Sequence, residues 1–308
     1  MRIRSKLYVL LVSALLASLA QAGQMKSIDL SFEGHTWTYH LYMPDTHKGD
    51  PSPLVLVFHG AGGGGKAYLE KNGWLTLADR EGVVVAAPDG LPALPRMPAN
   101  FRLNPRLWNS GQLKPESPRG RLNDIGFVAA MLDDIAKHAA INTDRVFATG
   151  HSNGAGMTYL LGAELATRLR AIAPVMGLNS TQAAKPARAM PTLTLLGTSD
   201  PLNPMQGGTR DLPWGQSATP PVAQGLAAWA TALGCSALPQ LQRDDATVRS
   251  EHYAACNDHA TFTIWYLKGQ GHAWPGGQDS GLPASVMGPN TTPVNATEVI
   301  WSFFSGYR

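Results

Sequence analysis

Short, unbroken apolar runs constrain this chain more than any other feature. Leu54–Phe58 (LVLVF) lies between Pro53 and His59-Gly60, and Val83–Ala87 (VVVAA) stops at Pro88-Asp89-Gly90. A strand with one wet face alternates apolar and polar residues, whereas one that is apolar at every position is buried on both faces. Arg145–Thr149, Ile172–Val175, Thr192–Leu196 and Phe262–Leu267 read as further strands. Helices are expected over 67–80 (ending at Gly82), 124–138, 153–168, 222–233 and 294–306. In the second of these Phe127, Met131, Leu132 and Ile135 recur at helical spacing. Strands alternating with helices predict an α/β chain with a mostly parallel central sheet and helices on both faces. An alternating hairpin, Ile28–Phe32 and Thr36–Tyr42 about Glu33-Gly34, precedes it. Residues 91–122 show no period and are rich in Pro, Arg, Asn and Gly. A loop of that length is usually functional, and it reads as an insertion over the substrate face.

The N-terminus carries Arg2, Arg4 and Lys6, then an apolar run from Leu7 to Ala20, then Ala20-Gln21-Ala22. That layout predicts a signal peptide over residues 1–22, with Gly23 first in the mature chain. The run is short of the roughly 20 residues that span a bilayer. A secreted or periplasmic protein is therefore expected, free of the membrane after cleavage, with residues 23–308 as a single domain. Net charge is +3, and no basic stripe suggests a nucleic-acid partner. A monomer is the default expectation. The two cysteines, Cys235 and Cys256, are expected to pair as a disulfide in an oxidising compartment. Two cysteines alone do not make a zinc site, and no metal or other cofactor is expected.

Chemistry concentrates in Gly150-His151-Ser152-Asn153-Gly154, which follows RVFAT and opens AGMTYLL. A G-x-S-x-G between strand and helix is a nucleophile elbow. The glycines keep side chains away from neighbouring backbone, and Ser152 projects at a helix N-terminus, where negative charge is favoured. Ser152 needs a base. His272, in the glycine-rich KGQGHAWP after Phe262–Leu267, is the candidate, because the histidine comes last in this order of residues. His40 lies in the early hairpin and His138 near a helix end. Asp200, where TLTLLGTSD leaves its strand, is the expected acid that orients His272. Asp211, Asp244, Asp245 and Asp258 follow no buried parallel-type strand. Asp124, opening its helix, reads as an N-cap. Backbone N–H donors for an oxyanion are expected from Asn153 and from Ala61 in HGAGGGG (59–65), which lacks the Lys-Ser/Thr of a phosphate loop. Trp108, Asn109, Trp214 and Trp274 lie in long loops and are candidates to line a substrate pocket.

Together HGAGGGG (59–65), ADREGVVVAAPDG (78–90), LWNSG (107–111), NDIGFVAAMLDDI (123–135), DRVFATGHSNGAGMTYLL (144–161), LGTSDPLNP (196–204) and GHAWPGG (271–277) resemble the extracellular polyhydroxybutyrate depolymerase-like esterases, which include feruloyl and acetylxylan esterases. The resemblance covers most of the chain from residue 23. It implies an α/β-hydrolase fold, a Ser152-Asp200-His272 triad, no cofactor, and hydrolysis of hydroxyalkanoate oligomers or small esters. Feruloyl or acetylxylan ester cleavage is the alternative it carries. The cysteine-rich segment of that family after its Trp-Asn pair has no counterpart in 110–122, and attack on oligomers or small esters is expected over attack on solid polymer. A serine peptidase of the same fold and a non-catalytic binding protein are lesser alternatives.

Overall fold

The computed structural model describes residues 23–47, 49–180, 185–212, 215–235, 238–278 and 281–307, with the side chains of 211 and 212 excepted. The expected signal segment 1–22 and Trp214 lie outside these residues. The runs LVLVF and VVVAA form the strands β3 (Ser52–Phe58) and β4 (Val84–Pro88). Each is buried on both sides, as unbroken apolarity requires. Leu54, Leu56 and Phe58 turn to one core layer, and Val55 and Val57 to the other.

Among the described residues ten strands form one sheet. Four more strands follow β3 and β4 in its parallel body: β5 (Ile141–His151), β6 (Ala171–Val175), β7 (Thr192–Gly197) and β12 (Phe262–Leu267). Their spatial order is β4-β3-β5-β6-β7-β12, each pair parallel. The hairpin β1 (Gln24–Phe32) and β2 (His35–Met43) closes one side by pairing antiparallel with β4. The antiparallel strands β10 (Gln240–Asp244) and β11 (Val248–Tyr253) extend the other. A separate hairpin, β8 (Gly208–Leu212) with β9 (Gly215–Thr219), stands outside this sheet.

Helices cover both faces. On one lie α3 (Asp124–Ile135), α4 (Asn153–Glu164) and α5 (Val222–Ala232), contributing Phe127, Met157 and Trp229 to the first layer. On the other lie α1 (Gly65–Lys71), α2 (Trp74–Glu81) and α7 (Ala296–Ser305), contributing Leu69, Trp74 and Phe304 to the second. A short α6 (Ala284–Met287) precedes α7. The single helix expected over 67–80 is two, because the chain turns at Asn72-Gly73, where Gly73 has φ 79°. The cap of α3 is also not the expected one. Asn123 accepts the Gly126 N–H at 2.8 Å, while Asp124 is buried and receives the Arg119 guanidinium through both oxygens.

Arg119 explains how the aperiodic segment 91–122 keeps its shape. It is 2% exposed, donates to the carbonyls of Leu91 and Leu107, and lies over the Trp37 ring. A buried charge stays only when paired and fully hydrogen-bonded, so this guanidinium ties loop, helix and sheet together. Cys235 and Cys256 are joined as a disulfide. No helix among the described residues is long and apolar enough to cross a membrane.

Candidate active site

The end of β5 and the start of α4 meet at Ser152, whose φ of 56° and ψ of −118° fall in a region few non-glycine residues adopt. Such a conformation costs about 1–3 kcal/mol and persists only where its surroundings enforce it. They do so here. A Cβ on Gly154 would stand 2.3 Å from the Phe58 carbonyl oxygen, and one on Gly150 would stand 2.4 Å from that of Gly154. The Ser152 N–H is held by the Val175 carbonyl at 2.9 Å.

The structure brings the three candidates together from three strand ends. Ser152 Oγ lies 2.8 Å from His272 Nε2, and His272 Nδ1 lies 2.7 Å from Asp200 Oδ2. The other Asp200 oxygen accepts the N–H groups of Leu202 and Asn203 at 2.8 and 2.9 Å. Burial pushes the Asp200 carboxyl upward, but the His272 charge and these hydrogen bonds outweigh it and leave the group below its ordinary value. His272 is fixed from behind, its N–H donating to the Met287 carbonyl at 2.6 Å.

Ala61 and Asn153 both face the same cavity as Ser152. Neither backbone N–H makes a hydrogen bond among the described residues, which leaves two donors beside the serine hydroxyl. The Asn153 side chain is spent elsewhere. Its Oδ1 accepts the Trp108 N–H at 2.7 Å, and its Nδ2 donates to the Trp108 carbonyl at 3.0 Å.

That pairing corrects two of the pocket expectations. Trp108 is fully buried, and its indole N–H donates to the His59 carbonyl at 2.9 Å. Asn109 donates to the Gly120 carbonyl at 2.9 Å, and neither residue lines the cavity. They brace the loop after β3 against the elbow, because a large indole with one donor is best satisfied inside such a junction. Trp274 does line the cavity, edge-on to Tyr68, with its N–H on Thr297 Oγ1.

The cavity has a volume of about 670 Å³. Besides the residues above, its wall includes Phe101, Leu113, Met287, Arg210 and Ser217. The sequence reading missed three wall residues with chemistry. His151 donates from Nε2 to the His272 carbonyl at 2.6 Å. Burial, and then the neighbouring His272, lower its pKa to about 3, so it stays neutral. Its place between Gly150 and Ser152 was the available signal. Tyr68 places a buried, unpartnered hydroxyl in the wall, and burial holds that phenol well above its ordinary value. Arg210 reaches the cavity from β8, a strand no sequence period marks. Among the described residues no group of His, Cys, Asp and Glu is arranged to hold a metal ion.

No protein-family model matches the chain. It is 27% identical over 293 residues to a Nocardia uniformis subsp. tsuyamanensis protein named as an esterase, NocK, covering 89% of this chain and 80% of that one. It is 30% identical over 161 residues to the bifunctional acetylxylan esterase/xylanase XynS20E of Neocallimastix patriciarum, covering 52% of this chain and 21% of that one. It is 26% identical over 237 residues to feruloyl esterase B of Piromyces equi, covering 75% and 41%. The chain thus spans less than half the length of the latter two. Among solved structures, an acetyl xylan esterase from Aspergillus awamori superposes with a TM-score of 0.61 at 16% identity over 93% of this chain and all of that one. An S-formylglutathione hydrolase from Agrobacterium tumefaciens gives 0.60 at 14% identity, covering 93% and 96%. These establish the α/β-hydrolase fold.

Proposed function

Taking the chain as an α/β-hydrolase of feruloyl esterase-like kind that hydrolyses carboxylic esters, we propose that it works through an acyl-enzyme on Ser152, with small or oligomeric esters as substrates. One observation carries the reading: the Ser152–His272–Asp200 string opens beside two backbone N–H groups that have no other acceptor. His272 Nε2 takes the hydroxyl proton as Ser152 Oγ attacks the ester carbonyl. The carbonyl oxygen, now negative, accepts from Ala61 and Asn153 N–H, an effect of about 2.7–4 kcal/mol per donor in comparable sites. Collapse expels the alcohol, which takes the proton back from His272. Water then adds by the same route and releases the acid. Asp200 holds the His272 Nδ1–H and offsets the imidazolium charge.

The acyl and alcohol groups are read from two sources. The motif resemblance favours hydroxyalkanoate oligomers or small esters, and the names of the curated relatives favour feruloyl or acetylxylan esters. Initial rates on p-nitrophenyl acetate and butyrate, methyl ferulate and soluble 3-hydroxybutyrate oligomers separate them. Preference for methyl ferulate supports the second source, preference for the oligomers the first, and no turnover on any of the four overturns the esterase reading.

Export belongs to the same proposal. The Cys235–Cys256 disulfide suits an oxidising compartment, and the N-terminal sequence has a leader's layout. Intact mass of the protein from an exporting host, expected to begin at Gly23, tests it.

A further inference from the structure

The active-site cavity is mostly apolar, yet one wall carries a cation without a counter-ion. Arg210, on β8, lines the cavity together with Ser152, His272 and Ser217. Its Nη1 donates to Asn203 Oδ1 at 3.1 Å and sits 3.5 Å from the Leu202 carbonyl. Its Nε is buried without a partner, and its Nη2 makes no hydrogen bond among the described residues. No carboxylate among them lies within ion-pair distance of Arg210. Asp200 is the nearby charge, but His272 and two backbone amides already occupy its oxygens. Ser217 stands directly opposite Arg210 in the β8–β9 register and presents its hydroxyl on the same face. A guanidinium whose N–H groups are not all taken up by the protein, beside a hydroxyl, is a donor set suited to a carboxylate.

Its position fixes the scale of the ligand. Asn203 links the two centres, accepting from Arg210 on one side while its Nδ2 lies 3.5 Å from His272 Nδ1 on the other. A carboxylate held by Arg210 is therefore only one side chain removed from the His272 that serves the reacting ester.

Resting on the ester-hydrolase reading above, we propose that Arg210, assisted by Ser217, selects esters that themselves bear a free carboxylate, the chemistry of the terminal unit of a hydroxyacid oligomer. A neutral ester leaves the guanidinium unanswered in a partly buried site, so discrimination arises from the unpaired group as much as from the pair.

The test compares the 3-hydroxybutyrate dimer as its free acid with the same dimer capped as a terminal carboxamide, following cleavage of the internal ester by chromatography. The wild type is expected to favour the acid by at least about tenfold in kcat/KM, mainly through KM. In Arg210→Gln that ratio should fall toward one, and Arg210→Lys should restore part of it. Because Arg210 also braces Asn203, the ratio is read rather than either absolute rate, and labelling of Ser152 by a fluorophosphonate confirms that each variant keeps its site. A wild-type ratio near one, or a ratio unchanged in Arg210→Gln, overturns the proposal. So does cleavage of p-nitrophenyl butyrate with neither dimer touched. Failure on p-nitrophenyl butyrate as well removes the ester-hydrolase reading, and this one with it.

Discussion

Two strings of serine, histidine and aspartate run through this molecule, and only one has the surroundings of an active site. In the first, Ser152 Oγ, His272 and Asp200 are joined at 2.8 and 2.7 Å. In the second, Ser27 Oγ lies 2.8 Å from His40 Nδ1, and His40 Nε2 lies 3.7 Å from Asp89. The residue types match, but the environments do not. Ser27 is exposed and stands opposite His40 in the regular β1–β2 ladder. Asp89 is shared, receiving the Gly65 N–H at 2.7 Å and the Arg106 guanidinium at 3.3 Å. Burial raises its carboxyl, and these partners with His40 more than reverse that. Ser152 instead sits in a strained turn at a helix start with two amides waiting. What separates the two is not the proton relay but the reception prepared for negative charge on oxygen, which supplies most of the lowering of a barrier of this kind.

The sharpest way to break this comparison is at the serines. Ser152→Ala should lose about 10⁴-fold or more in kcat/KM on p-nitrophenyl butyrate, while Ser27→Ala should stay within about twofold. Comparable losses in both would dissolve the distinction.

The acids give the next largest contrast. Asp200→Asn should cost about 10³–10⁴-fold in kcat by presenting His272 with the wrong hydrogen-bond partner. Asp89→Asn should act on folding, lowering stability by about 1–3 kcal/mol through the weakened hold on Gly65 and Arg106, with kcat little altered. Urea midpoints and steady-state rates on both variants check the pair.

Acid should expose the buried histidines. Burial lowers His59 to about 4 and, with the His272 charge, His151 to about 3. Both pKa values lie below the unfolded value, so between about pH 6.5 and 4 the unfolded chain binds protons that the folded chain refuses. Stability therefore falls as pH drops through that window, by an amount on the order of 3 kcal/mol for each histidine. The depressed Asp200 acts in the same direction at lower pH, its contribution being lost as pH falls through its folded value. His151→Gln should flatten the acid limb of a plot of urea midpoint against pH, and an unchanged slope would contradict the assignment.

The smallest effect on activity belongs to Cys235–Cys256, neither of which lines the cavity. Replacing both by serine should lower stability by about 3 kcal/mol on the chain-entropy account and leave kcat/KM unchanged, as thermal melts and rates on one preparation would show.

How much of this was legible in the sequence depended on how local each signal is. The parallel body could be read because β3, β4 and β6 are apolar at nearly every position. Ser152 and His272 were marked by their glycines, and Asp200 by its place at the end of β7. What failed to show depended on contacts between distant segments. Trp108 looks like a loop aromatic free to meet substrate until Asn153, forty-five residues on, is seen to hold its backbone. Arg119 and Asp124 carry no pattern that says buried pair. The strands β8 to β11 are short and polar, with every residue of β10 exposed, so no alternation announces them. The helix over 67–80 was divided at Asn72-Gly73, a turn dipeptide masked by the apolar residues on either side of it.

The hairpin β8–β9 has one more consequence. It belongs to a sheet of its own, and its two ends are clamped side by side. Gly207 donates to the Pro204 carbonyl at 2.8 Å, Val222 donates to that of Met205 at 3.1 Å, and Gly207, at φ 73°, lies so close to Thr219 and Pro221 that a Cβ would stand 2.7 Å from each. The stretch between is thus a cassette. Its entry and exit are set by that one glycine junction, and its inner face reaches the loop after β7 through Arg210, which holds Asn203. Redesign toward a new substrate would therefore vary the residues that flank Arg210 in this hairpin and leave Arg210 and the Gly207 junction as they stand.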